Sequence, residues 1–410
     1  MTKHEMAGKR TGARKSFDGV IGSDVITEMV SLRRYVHAHP ELSFEEVHTS
    51  ALIARTLEGW GIPTYRNLGK TGLVGVIKRG SSSRAIGIRA DMDALPVTEC
   101  NAFPHVSTHP GMMHACGHDG HVAMLLAAAK HLVSNVEFEG TVYLLFQPAE
   151  ESGGGARAVI NDGLFDRFPM QAIFGAHNWP GLSVGQFSVR SGAAFASSNE
   201  FRIGIQGRGA HAAMPHTGVD PIPAACAIVQ SLQTIITRNK DPITAGLISV
   251  SSIHAGVAAN VMADSCRIEG TVRTFSSELT DMIEARIRTI VHSTCQAFGA
   301  SGTLEFSRCY PPTVNHVNET AFVRDVLTAL SGSEGVRELD PSMGAEDFSF
   351  YLLERPGCYF LIGNGDGSHC RKPDENLGEC VLHSPHYDFN DELISIGGTA
   401  WVRLVEAWFS

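Results

Sequence analysis

An α/β fold in two domains is predicted by three observations. The chain has 410 residues, apolar strands alternate with helical patterns toward both ends, and a middle segment runs strand, helix, strand, strand, helix, strand. Length alone exceeds one ordinary core, and 43% hydrophobic with 19% charged residues is a normal globular balance. The formal net charge of −10 and the lack of a basic stripe argue against a nucleic-acid partner. No apolar run reaches the roughly 18–20 residues of a membrane span. Nine scattered cysteines in a large chain read as mostly reduced thiols, which suggests a cytoplasmic protein.

Residues 1–23 carry Lys3, Lys9, Arg10, Arg14 and Lys15 without a following apolar stretch, and read as a flexible leader, native or an expression remnant. Helical periodicity follows over 23–60, broken at His37-Ala38-His39-Pro40-Glu41-Leu42, because proline cannot sit deep in a helix. Residues 73–78 and 85–89 are strand-like around a Gly-Ser turn, and Asp91-Met92-Asp93 ends the second strand. An Ala- and Leu-rich helix is expected over 121–134 and a buried strand over 141–147. In the middle segment, strands at 200–206, 244–253, 266–274 and 303–306 alternate with helices at 220–238 and 276–298, a ferredoxin-like βαββαβ order. That module would occupy 197–306, inserted into a larger domain formed by 24–196 and 307–410.

Chemistry concentrates in a few places. His114-Ala115-Cys116-Gly117-His118-Asp119-Gly120-His121 puts four candidate ligands in eight residues ahead of an apolar helix, suited to one or two divalent metals. The plainer reading is a helix-capping loop with a buried thiol. Gln147-Pro148-Ala149-Glu150-Glu151 follows a buried strand; adjacent carboxylates there suit one ligand and one proton acceptor, though such pairs are more often solvated. His177 and His383 end a strand and occupy a polar turn, where hydrogen-bonded histidines are common. His211 and His216 lie in a small-residue loop, and Met343-Gly344-Ala345-Glu346-Asp347 is a further acidic turn.

Taken in order, these motifs resemble the zinc-peptidase-like aminoacylase and carboxypeptidase superfamily over residues 25–408. The nearest branch is that of hippurate hydrolases, N-acyl-amino-acid amidohydrolases and auxin-conjugate hydrolases. The match is carried by His37-x-His39-Pro40-Glu41, Arg89-Ala90-Asp91-Met92-Asp93-Ala94-Leu95-Pro96, His114-Ala115-Cys116-Gly117-His118-Asp119 and Gln147-Pro148-Ala149-Glu150-Glu151. It continues through Gly207-x-Gly209-Ala210-His211, Gly270-Thr271-Val272-Arg273, Gly344-Ala345-Glu346-Asp347 and His383-Ser384-Pro385.

The resemblance implies a metallopeptidase-like catalytic domain with a lid and dimerisation domain inserted, working as a homodimer or higher oligomer. It implies two divalent metals, Mn²⁺ or Zn²⁺ foremost with Co²⁺ and Ni²⁺ compatible, held by Cys116, His118, Glu151, His177 and His383, the thiolate bridging. Glu150 is then general base and acid toward a metal-activated water, and His211 a donor to the tetrahedral oxyanion. Asn260 and Arg273 match positions that support substrate, although a strand arginine also braces a fold. Asp91 matches a carboxylate that orients a ligand, but Arg89-Ala90-Asp91 stands where the wider superfamily has His-x-Asp, so a supporting role and a purely structural one both stay open. The implied activity is amide hydrolysis of small N-acyl amino acids. A dipeptidase or carboxypeptidase of the same fold, a catalytically silent metal-binding relative and a Cys116 nucleophile are the competing readings. Two departures stand out: Ala345 replaces a common serine, and the 365–380 loop is long, with Cys370 and Cys380 as a labile pair, an extra metal site or, the plainer reading, solvated thiols.

Overall fold

The computed structural model describes Phe17, residues 19–370 and residues 380–410. It comprises two compact units, one of Met1–Gly192, Asn315–Asp340 and Phe350–Ser410, the other of Ala193–Val314 and Pro341–Ser349.

The larger unit holds an eight-stranded sheet in the order Thr64–Leu68, Gly72–Arg79, Gly140–Gln147, Ala85–Asp91, Ala172–Pro180, Gly357–Gly365, Phe187–Ser188, Val336–Arg337. The strand Gly140–Gln147 and the three that follow it in this order run parallel. Their side chains are almost entirely buried, which is why the sequence shows continuous apolar runs there rather than alternation. Asp91 and Gln147 are register partners, so both motifs leave the sheet at the same edge. The helix His118–Asn135 packs between the helices Ser23–Ala38 and Glu392–Phe409, its Ala and Leu side chains buried.

At the N-terminal end, Phe17 and Ile21 are buried in this core, with the Phe17 ring 6.2 Å from that of Phe187. Phe17 and Ile21 fall within the leader expected over 1–23 and are packed in the core; residues 1–16 and 18 lie outside the described residues.

The break after the first helix is held by a buried charge network. Arg33 Nε lies 2.7 Å from Asp119 Oδ2, and its Nη2 bonds Asp388. His37 Nδ1 is 2.9 Å from Asp119 Oδ2 and its Nε2 is 3.1 Å from Glu99 Oε1. Asp119 thus serves His37 and Arg33. Burial disfavours the His37 cation, but the bonds to Asp119 and Glu99 outweigh it and push the ring from 6.5 up to about 9. A raised folded-state value means the stabilisation is complete below pH 6.5 and lost as pH rises through about 9. Urea unfolding of the wild type should lose up to about 3 kcal/mol across that window, and His37→Gln should flatten the decline. A wild-type profile that stays level there contradicts the assignment.

The smaller unit contains a four-stranded antiparallel sheet in the order Gly246–Ala255, Ser265–Thr274, Ser198–Gln206, Ser301–Tyr310. Pro221–Thr234 and Ser277–Ala297 pack on it through Ile228, Leu232, Ile283 and Ile287. Asp220 caps the first helix by accepting from the Ile222 N–H at 2.9 Å, and Ser276 caps the second through the Leu279 N–H at 3.2 Å. This strand order is the split βαβ arrangement. Its boundary differs from the one expected at 306 and 307. The last strand continues to Tyr310, paired with Ser198, and Pro341–Ser349, including the acidic turn, belongs to this unit. Residues 307–310 form the backbone ladder without inward apolar side chains, so hydrophobic alternation could not reveal them.

Candidate metal centre

The site is built from loops that leave the carboxyl ends of the parallel strands. Gly117, between Cys116 and His118, caps the helix His118–Asn135 in the left-handed region at φ 96°. A Cβ there would meet Asn178 Oδ1 at 2.5 Å and the Tyr387 hydroxyl at 2.6 Å, so only glycine lets the chain turn between the two candidate ligands. Ala149 holds φ 53° just before Glu150 and Glu151. His383 holds φ 66°, and its N–H donates to the Ala115 carbonyl at 2.8 Å.

These turns bring together all five expected ligands. Cys116, His118 and His177 form one group whose ligand atoms lie within 4.8 Å of one another, and Cys116, Glu151 and His383 form a second. The thiol is common to both. Cys116 Sγ is 3.3 Å from His177 Nε2, and His383 Nε2 is 3.2 Å from Glu151 Oε1. Glu150, buried, groups with His118 and Glu151. His177 Nδ1 donates to the Asn178 carbonyl at 2.7 Å and His118 Nδ1 to the Asp93 carbonyl at 2.9 Å, so each ring keeps its Nε2 lone pair for the site.

Donor chemistry and burial both fit divalent cations. Among the described residues His118 Nε2 and Glu151 Oε1 are buried without a hydrogen-bond partner; they lie 3.9 Å apart, and His383 Nε2 approaches Glu151 Oε1 at 3.2 Å. Buried orphan atoms aimed into one cluster of sulfur, imidazole and carboxylate donors are accounted for by a cation. Protons take that part otherwise. Burial and the Glu151 and Glu150 carboxylates push the Cys116 thiol well above its ordinary range. Burial alone would lower His118, but Asp91, Asp93 and Glu151 push it up to about 10. Burial and the neighbouring His121 hold His177 well below the usual range, while its bond to Glu151 raises His383.

Asp91 and Asp93 divide the supporting work. Asp91 accepts from Arg89 Nη1 at 2.6 Å and from His121 Nδ1 at 2.5 Å, and lies 3.7 Å from His118 Nε2. Asp93 contacts two candidate ligands: its Oδ1 is 3.1 Å from His118 Nδ1, and its Oδ2 accepts from the Glu151 N–H at 3.0 Å. The sequence points to Asp91 for a supporting role and to His121 only as one of four candidate ligands in its cluster; it gives Asp93 no role. Residues two apart on an extended chain face the same way, and that spacing was the available signal for Asp93. His114, although within the densest cluster, belongs to none of the ligand groups. Asp93→Ala should weaken metal affinity about 10–100-fold in a competitive chelator titration, the usual effect of losing such a partner; unchanged affinity would remove Asp93 from the site.

In the smaller unit, His211 and Asn260 line one cavity of about 760 Å³, together with His254, Val257 and Met262. Arg273 does not line it: its Nη1 bonds Thr271 Oγ1 at 2.5 Å and the Val272 carbonyl at 3.3 Å on its own strand. These bonds fit the bracing role that a strand arginine also offers. In the larger unit, Cys380 is buried and its sulfur lies 3.5 Å from that of Cys370, which corrects the expectation of solvated thiols. Residues 371–379 of that loop lie outside the described residues.

A parallel sheet whose carboxyl-end loops converge thiol, imidazole and carboxylate donors defines an α/β protein with a metal centre of the hydrolase type. The chain belongs to peptidase family M20/M25/M40, which matches residues 87–406. It is 37% identical over 382 residues to a hippurate hydrolase of Campylobacter jejuni subsp. jejuni, covering 93% of this chain and 96% of that protein. It is 40% identical over 343 residues to an N-acetyl-L-cysteine deacetylase of Bacillus subtilis, covering 83% and 81%. The crystal structure of the Bacillus subtilis YXEP protein, described as a dinuclear metal binding peptidase from the M20 family, superposes with a TM-score of 0.81 at 31% identity, covering 95% and 99%.

Proposed function

We propose that the chain is a metal-dependent amidohydrolase that cleaves the amide bond of small N-acyl amino acids. The observation that carries this reading is the pair of ligand groups sharing Cys116: Cys116, His118 and His177 would hold one divalent cation, and Cys116, Glu151 and His383 a second. A bridging thiolate lowers the net charge of two neighbouring cations and holds them close. Divalent cations held there would supply Lewis-acid polarisation of the acyl carbonyl and lower the pKa of a water. Glu150 takes a proton from the attacking water and returns it to the departing nitrogen as the amide C–N bond breaks. Asp93 holds His118 and the Glu151 backbone in place throughout.

The substrate class follows the two relatives, one named for hippurate and the other for N-acetyl-L-cysteine. Mn²⁺ and Zn²⁺ lead among metals suited to mixed N, O and S donors. The proposal keeps His211 as the oxyanion donor, the smaller unit as a lid and dimerisation domain of a homo-oligomer, and the cytoplasm as the setting. Among the described residues no helix is long and apolar enough to cross a membrane. The test is a panel of N-acetyl amino acids, N-benzoyl amino acids and dipeptides, assayed with protein reconstituted with Mn²⁺ or Zn²⁺. Hydrolysis of the N-acyl compounds that stops on chelation is expected. Turnover of dipeptides alone, or turnover that survives chelation, overturns the proposal.

A further inference from the structure

We propose that Glu46 is a positioning residue that sets the Glu150–Glu151 turn from outside the ligand shell, a role that rests on the hydrolytic reading above. The turn needs an external hold. Ala149 occupies φ 53°, a region that residues with a Cβ rarely adopt, immediately before the base. Its N–H donates to Glu46 Oε1 at 2.9 Å. Two residues on, the Glu151 N–H donates to Asp93 Oδ2 at 3.0 Å. Glu150 is therefore carried on a short arch whose alternate N–H groups are each pinned by a carboxylate from another part of the chain.

Glu46 is itself fixed on several sides. Its Oε1 also accepts from the Phe44 N–H at 3.0 Å, and its Oε2 accepts from Thr71 Oγ1 at 2.5 Å. The adjoining loop grips the same arch. Ser43 Oγ donates to Asp93 Oδ2 at 2.8 Å and accepts from Ser152 Oγ at 3.0 Å, and a Cβ on Gly153 would touch the Phe44 ring at 2.5 Å.

A purely local role for Glu46 is excluded by what its neighbours do. It precedes the helix Val47–Gly59 but makes no side-chain cap there. That task falls to Glu41, which accepts from the His48 N–H at 3.0 Å and the Thr49 N–H at 2.8 Å. Among the described residues no Lys, Arg or His forms an ion pair with Glu46. The buried carboxyl neither caps its own helix nor meets a cation, and its bonds to Phe44 and Thr71 hold it against the Ala149 N–H.

The test compares Glu46→Ala, Glu46→Gln and the double variant Glu46→Ala with Ala149→Gly, each metal-reconstituted. Glu46→Ala should lower kcat about a hundredfold with KM little changed, the effect of a misplaced catalytic group rather than of lost binding. Gln can still accept the Ala149 N–H and should restore most of that loss. Glycine adopts φ 53° without strain, so Ala149→Gly should recover part of the loss in the Ala background. A structural role alone would lower the thermal midpoint, leave kcat per folded molecule unchanged and show no rescue at position 149; that result overturns the proposal. The visible absorption of the Co²⁺-loaded protein reads the Glu151 ligand without any substrate. A shift in Glu46→Ala supports the positioning role even if no N-acyl amino acid is turned over, whereas an unchanged spectrum together with wild-type kcat removes it.

Discussion

Glu150→Gln should reduce kcat by about 10²–10⁴-fold while both metals stay bound. The substitution keeps shape and volume but removes the ability to accept a proton, so it separates general-base chemistry from ligation. Glu150 is buried and its carboxylate groups with His118 and Glu151, within reach of a water that a cation held there would carry. Its absence is felt only in the transition state, so kcat and kcat/KM should fall together and KM should change little. Steady-state kinetics on the best N-acyl substrate and elemental analysis of the same sample give both readings. A variant within tenfold of wild type would take Glu150 out of the mechanism. Loss of metal alongside loss of rate would recast it as a ligand.

Cys116→Ala should have the broader effect, removing both metals at once and activity with them. Cys116 is the one residue common to the Cys116, His118, His177 group and the Cys116, Glu151, His383 group, so it would touch both metals. His177→Ala and His383→Ala should therefore each lower occupancy toward one metal per chain, while Cys116→Ala lowers it toward none. Since metal assistance supplies several kcal/mol of transition-state stabilisation, the rate should drop by more than about 10³-fold. The same comparison separates this account from a cysteine nucleophile, which would keep working after chelation. Occupancy after gel filtration in metal-free buffer is the measurement. Equal metal content in Cys116→Ala and wild type would refute the shared thiol.

Local pattern singles out only the Cys116–His118 cluster ahead of an apolar helix; Glu151, His177 and His383 fit solvated or hydrogen-bonded roles equally well, and the family resemblance is what joins the five as candidate ligands. Their convergence depends on which strands lie side by side, and no local pattern encodes that. Asp91 and Asp93 show the limit well. Both carboxylates sit at the strand end, yet only the positions of His118 and Arg89 decide that Asp93 contacts His118 Nδ1 while Asp91 bonds Arg89 and His121. Glu46 is an ordinary acid at a helix start until the fold brings the Ala149 N–H to it across 103 positions of chain. The same holds for the domain boundary. Helical and alternating patterns located the elements of the smaller unit, but Pro341–Ser349 joins it through contacts distant in sequence. At Arg273, charge and motif position suggest a substrate contact, and the fold adds bonds from Nη1 to Thr271 and Val272 that fit a bracing role.

Anomalous diffraction from crystals grown with Mn²⁺ or Zn²⁺ addresses the shared thiolate most directly. Two peaks should flank Cys116 Sγ, each within ligand distance (about 2.3 Å for zinc to sulfur), one also contacting His118 and His177 and the other Glu151 and His383. A single peak, or two peaks of which only one touches Cys116, would contradict it.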